Sequence, residues 1–188
     1  MRSSETTYSR PKDRSFPLWV IVRGDDHPKA CTGRRLLARR VARRLPRIRP
    51  VPPIVLDPYA PTVLSRSDRG TAREGGIAVL DCSWNALARR ASRGVPHVGD
   101  GWGPRRRLPF LLATNPQHFG RLAELNTAEA LAAALTVLGE RSRAEEILSG
   151  FHGGPTFFET NAERLKRYAA CPDPGATRRE ERRIFGGY

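Results

Sequence analysis

The chain has 188 residues, enough to bury a core without covalent staples, and its three cysteines (Cys31, Cys82 and Cys171) include no CxxC pair, which excludes a zinc ribbon and a disulfide framework. Lys and Arg total 33 against 19 Asp and Glu, a formal charge of +14 at pH 7 carried almost wholly by arginine; such a field attracts a polyanion, and nucleic acid is favoured over a membrane surface because no basic segment sets Trp or Phe opposite its charged face. No apolar run approaches the roughly 20 residues of a membrane span and "MRSSETTYSRPKDRS" has no h-region, so the expectation is a soluble, cytoplasmic, metal-free protein.

Residues 1–14 read as a disordered basic N-terminus. "FPLWVIVR" (16–23) is a strand, followed by the loop "GDDHPKACTG" and then "RRLLARRVARRL", where Leu36, Leu37, Val41 and Leu45 recur at helical spacing with arginines largely elsewhere. Ile54 to Leu56 is a second strand, closed by Pro58; "GIAVLDCSW" holds a third, with a helix from about Asn85 to Ser92; Leu108 to Ala113 is a fourth. Strands apolar on both faces and separated by helices imply an α/β domain over residues 15–115, with a parallel-rich sheet covered on both sides.

After Pro116 the pattern turns helical, giving a C-terminal half over 116–188. Asn126 stands three residues before Glu129, the spacing of a capping box, and Ala128, Leu131, Ala132, Leu135 and Leu138 form one stripe. "RAEEILSGF" and "GPTFFETNAERLKRYA" read as two more helices, and "CPDPGATRREERRIFGGY" as a polar tail docked by Ile184, Phe185 and Tyr188.

In an open parallel sheet, ligands bind beyond the carboxyl ends of the strands, and the chemically interesting residues fall there: "LDP" after the second strand, "DCSW" after the third, "ATNP" after the fourth. Thr32 and Gly33, just before the first helix, offer a hydroxyl and an unhindered amide to a carboxylate or phosphate, although Thr32 also suits a plain N-cap. "GDGWGP" lacks the Lys-Ser/Thr of a phosphate-binding loop, and Pro104 and three arginines follow where a dinucleotide fingerprint needs a helix. The histidines, at 27, 97, 118 and 152, are scattered, and Ser83 lacks the GxSxG of a nucleophile elbow.

"HPKACTG", "LDP", "AVLDCSW", "LPFLLATNP", "LNTAEALAAAL" and "FHGGPTFFETNAERLKRY" resemble, in order, the blocks of the Tsr3 family, the aminocarboxypropyltransferases of small-subunit ribosomal RNA, over roughly residues 18–170 and in the archaeal manner. Two blocks depart from the family pattern: "DDHP" stands where His-Cys-Asp-Pro is usual, and "LDP" where Leu-Ser-Pro is usual. The resemblance implies a SPOUT-like fold with a C-terminal trefoil knot, S-adenosyl-L-methionine as cofactor, and transfer of its 3-amino-3-carboxypropyl group to N3 of a methylated pseudouridine.

On that resemblance, Leu56 and Pro58 would sandwich the adenine, backbone near Leu80 and Leu112 would take the ribose, Trp84 would shield the sulfonium and methyl, and Thr32, Gly33 and Thr127 would complete the cofactor site. Asp81 could accept the N3 proton, orient the base, or merely cap the following helix, and Trp84 could equally be a core aromatic. Arg34, Arg35, Arg39, Arg40, Arg43 and Arg44 on the first helix and Arg105, Arg106 and Arg107 in the glycine loop are candidate phosphate contacts for ribosomal RNA or a pre-ribosomal subunit. A monomer is expected, the helical half covering the surface through which related knotted enzymes pair. Two rival readings are a SPOUT-type RNA methyltransferase and a non-catalytic RNA-binding assembly factor.

Overall fold

The computed structural model describes residues 15–22, 31–94 and 101–186. The N-terminus 1–14, most of the first loop, including the "DDHP" departure, and Tyr188 lie outside the described residues.

Among the described residues, five strands form one sheet: β1 (Leu18–Val22), β2 (Arg43–Arg44), β3 (Ile54–Leu56), β4 (Ile77–Asp81) and β5 (Arg105–Arg106). Their spatial order is β2-β1-β4-β3-β5, and every pairing is parallel. Alternation along β4 divides its side chains between two cores. Ile77 and Val79 join Leu18, Val20, Ile54 and Leu56 on one face; Ala78 and Leu80 join Trp19, Ile21 and Val55 on the other. The sheet is thus covered on both sides, as its uniformly apolar strands demand. Strand order reverses between β1 and β4, which places Val22 beside Asp81 at the switch point.

Helix α1 (Thr32–Ala38) follows β1, and α2 (Arg69–Gly75), entered through a 3₁₀ turn at Arg66–Asp68, precedes β4. Helix α3 (Trp84–Ser92) buries Leu87 in the second core. The helical half holds α4 (Thr127–Val137), α5 (Arg141–Ser149), α6 (Gly154–Thr160), α7 (Ala162–Ala170) and α8 (Pro174–Phe185). The larger core runs without a break from Phe16 to Tyr168, across residue 115.

Four sequence expectations need correction. The first helix stops at Ala38, and the chain turns through Arg40 in a left-handed conformation (φ 57°), so Arg43 and Arg44 form an edge strand beside Trp19 and Val20. The run Leu108 to Ala113 is extended but forms no strand of the sheet; its one bridge is antiparallel, Leu112 to Leu122. Helix α4 is buried all round rather than along a stripe, because α5 and α7 pack on the sides away from the sheet. The polar tail is a helix, α8, with Asp173 capping Ala176 and Pro174 at its first position. In addition, the single helix expected over 154–169 is broken at Asn161, whose side chain is used elsewhere.

Candidate active site

A cleft of about 380 Å³ opens beyond the carboxyl ends of β3 and β4. One wall is the strand ends themselves, Leu56 to Pro58 and Val79 to Trp84; the other is residues 107–110 together with the turn and helix entry from Gln117 to Ala130. Of the eight residues expected to bind cofactor, Thr32, Leu56, Pro58, Leu80, Trp84 and Thr127 line this cleft, and Gly33 and Leu112 do not.

Gly33 has a different task. Its amide donates to Asp81 Oδ1 at 3.0 Å, and a Cβ there would lie 2.4 Å from Asp81 Cγ, so only glycine lets α1 approach this carboxylate. The Gly33 amide is therefore not available to an anion in the cleft. Leu112 is likewise occupied: its N–H donates to Asn161 Oδ1 and its carbonyl accepts from Asn161 Nδ2, each at 2.9 Å. One buried amide side chain thus supplies the pairing that a neighbouring strand would have given.

Asp81 is buried and takes three donors. The Cys31 thiol donates to Oδ2, and the Gly33 amide and the Thr127 hydroxyl (2.9 Å) donate to Oδ1. It joins the starts of α1 and α4, and does not cap α3; that task falls to Ser83, which accepts from Ala86 N. Burial, followed by the hydrogen bond to Asp81, pushes the Cys31 thiol above its ordinary value. Cys31 also caps α1, accepting from Arg34 N, which leaves Thr32 as the first helical residue rather than the N-cap.

Trp84 is half-buried; its indole N–H donates to the Leu125 carbonyl at 3.2 Å, and its ring packs against the second core, where Cys82 also packs. It therefore faces the cleft and the core at once. Asp57, which the sequence reading passed over, is buried at the cleft edge, accepting from Tyr59 N and pairing with Arg105 at 3.1 Å.

The opposite wall is held by acids and an amide from the helical half. Glu129 is buried and accepts from Thr114 N, Thr114 Oγ1, Asn115 Nδ2 and Asn126 N at 2.7–2.9 Å. Glu181 of α8 grips Arg107 with both oxygens, at 2.6 and 2.7 Å, and also accepts from Phe110 N. The first half of that arrangement is the capping box read from the sequence. The second was invisible, because Glu181 lies far along the chain in what read as a tail.

These pairings revise the arginine set. Arg105, Arg106 and Arg107 are each paired to a carboxylate (Asp57, Asp68 and Glu181), so the glycine-loop arginines brace the cleft. Arg35 and Arg39 lie over the Phe151 ring and donate to the Gly150 and Ile147 carbonyls. Arg34, Arg40, Arg43 and Arg44 are exposed and make no ion pair among the described residues. Also among the described residues, no three His, Cys, Asp or Glu side chains converge as a metal site, and no helix is long and apolar enough to cross a membrane.

A parallel sheet with an amphipathic cleft at the carboxyl ends of its strands defines a cofactor-binding α/β protein. Residues 54–184 match the family described as ribosome biogenesis protein, C-terminal. The chain is 40% identical to the 16S rRNA aminocarboxypropyltransferase of Methanosarcina mazei, covering 87% of this chain and 91% of that one, and 44% identical to the same enzyme of Methanopyrus kandleri (79% and 86%). The solved structure of the SAM-dependent rRNA:acp-transferase Tsr3 from Vulcanisaeta distributa superposes with a TM-score of 0.78 at 33% identity, covering 92% and 90% of the two chains. The chain belongs to this family of rRNA aminocarboxypropyltransferases.

Proposed function

We propose that the protein transfers the 3-amino-3-carboxypropyl group of S-adenosylmethionine to N3 of an N1-methylpseudouridine in small-subunit ribosomal RNA, releasing methylthioadenosine. The observation that carries this reading is the cleft, where six residues that the family resemblance marks for cofactor line one space. The fit is chemical as well as spatial. Leu56, Pro58 and Trp84 give apolar and aromatic surface on one side, Thr32 and Thr127 give hydroxyls on the other, and the volume lies in the usual range for small-molecule sites.

The cofactor supplies the transferable group on a sulfonium; the chain supplies binding, orientation and exclusion of water. Leu56 and Pro58 hold the adenine, Leu80 backbone the ribose, and Thr32 the carboxylate of the amino-acid end, while the Thr127 oxygen, its O–H donating to Asp81, accepts from the ammonium. Trp84 covers the methyl side, so that the aminocarboxypropyl carbon is the one left facing the RNA. Asp81 positions rather than deprotonates, and the N3 proton passes to solvent as the N3–carbon bond forms and the carbon–sulfur bond breaks: with three donors on its two oxygens, Asp81 fixes α1 and α4 on either side of that end. Arg34, Arg40, Arg43 and Arg44 meet phosphates.

The proposal extends to a SPOUT-like fold with a C-terminal trefoil knot packed against the helical half, to residues 15–115 as the part carrying most of the cofactor contacts and 116–188 as the helical half, and to a cytoplasmic monomer. The first rests on the motif resemblance, and the monomer on the helices that enclose α4. The deciding assay gives the protein an N1-methylpseudouridine hairpin and cofactor labelled separately in its methyl and carboxypropyl carbons. Carboxypropyl label in RNA with free methylthioadenosine is the expected result. Methyl label in RNA assigns a methyltransferase, and no label from either leaves an RNA-binding assembly factor.

A further inference from the structure

Phe119 has an exposed ring with no folding task. It is 68% exposed, and Tyr59 is the other strongly exposed aromatic among the described residues. Each is next in the chain to residues that line the cleft: Tyr59 follows Pro58, and Phe119 follows Gln117 and His118.

The segment that presents Phe119 is braced on every side. It is the tip of a tight hairpin in which Gly120 N and Arg121 O bond Ala113, and Ala123 N bonds Leu111 O at 2.8 Å. Ala123 is held in the left-handed region (φ 63°), an uncommon conformation for a residue with a Cβ, so the surrounding bonds determine it. His118 donates its backbone N–H to Asn115 Oδ1 and bonds Glu124 through its ring, and Arg121 pairs with the same Glu124 at 3.2 Å. A rigid hairpin thus holds an apolar ring in water at the mouth of a cofactor cleft, in a chain of charge +14.

We propose that Phe119 is the stacking platform for the target nucleobase, which leaves its own stack and lies on the ring at the cleft mouth. This rests on the functional reading above for the identity of the RNA. The physical reason is that a flat aromatic recovers the stacking a flipped base has lost, and a braced ring costs little ordering entropy on binding.

The test compares wild type, Phe119→Leu and Phe119→Trp on the same N1-methylpseudouridine hairpin, reading RNA affinity by fluorescence anisotropy, cofactor affinity by calorimetry, and methylthioadenosine release. Phe119→Leu is expected to weaken RNA binding about ten- to hundredfold, the range for one lost base–aromatic stack, with cofactor affinity and melting temperature unchanged. Phe119→Trp is expected to restore RNA binding. Wild-type RNA affinity in Phe119→Leu, or an equal loss in Phe119→Trp, overturns the proposal. Wild-type protein that binds the hairpin through this ring yet releases no methylthioadenosine overturns the transfer reading and leaves the platform standing.

Discussion

On one side of the cleft the main chain of β3 and β4 is held by main chain, strand to parallel strand; on the other, residues 108–115 belong to no strand of the sheet, and beside the backbone bonds of Leu111 and Ala113 to the 120–123 turn they depend on the side chains of Glu129, Asn161 and Glu181. Backbone pairing tolerates a change of almost any single side chain, since the groups that bond are common to every residue. Side-chain pairing does not. Each substitution there strands several buried donors at once. The walls are joined by the hydrogen bonds of Trp84 to Leu125 and Thr127 to Asp81, so the cleft is a joint between a robust half and a brittle one.

The sharpest way to test that difference is Glu129→Ala. Four donors lose a carboxylate acceptor in a buried site, the Thr114 and Asn126 amides with no second partner among the described residues, and a cost of about 3–5 kcal/mol is expected by chemical denaturation. Hydrogen exchange should quicken over 111–126 while β3 and β4 keep their protection; equal loosening of both walls would erase the distinction drawn here.

Glu181→Ala comes next, at about 2–4 kcal/mol, less than for a fully buried pair because Arg107 keeps some contact with water. Much of that loss belongs to the stranded guanidinium. Adding Arg107→Met to Glu181→Ala should therefore recover part of it, and strictly additive losses in the double mutant would show the two residues uncoupled.

Trp84→Ala probes the joint itself. The expected outcome is cofactor affinity weaker by about 1–3 kcal/mol, as for removal of a buried aromatic contact, measured by calorimetry. Unchanged affinity would assign the indole to the second core alone.

The smallest effect is with pH. Burial raises the Cys31 and Cys171 thiols and the Tyr168 phenol, Asp81 adding to the first and Glu181 to the last. Raised values in the folded chain mean that it keeps protons the unfolded chain gives up. Their stabilising contribution is whole below the ordinary thiol value of 9.0 and is lost as pH climbs through the raised values. Denaturation midpoints should fall above pH 9 and fall less steeply in Cys31→Ala; a midpoint flat to pH 11 would contradict this.

What could be read in advance follows the same division. Ile54 to Leu56 was legible to the residue because a short run apolar on both faces, ended by Asp-Pro, has few alternatives. The Asn126–Glu129 box was legible because its partners lie within one turn. Leu108 to Ala113 read as a strand because an apolar run reports burial and says nothing of what satisfies its amides; for Leu112 that is Asn161, 49 residues away, and for Phe110 it is Glu181. The arginine-rich run was over-extended because helical spacing cannot register a single left-handed residue at Arg40. Two missed elements did carry local signals: Asp173-Pro174 before α8, and Ser65 with Asp68 before α2, both cap patterns. At the site, topology foretold that ligand lies beyond the strand ends, and the family resemblance supplied the individual cofactor residues. The hairpin bearing Phe119 was not, since its brace is assembled from Asn115, Glu124 and the backbone of Leu111 and Ala113.

The grip of Glu181 on Arg107 spans 74 residues, and that separation sets a clock. A ribosome adding roughly 5–20 residues per second makes Arg107 about 4–15 s before it makes Glu181. Throughout that interval the strands that form the robust wall are already available to pair. The guanidinium and the Phe110 amide wait for an acceptor not yet synthesised. The acceptor that completes this wall is thus made last, so a nascent chain passes through a stage in which every strand of its sheet has been synthesised and the brace of its site has not.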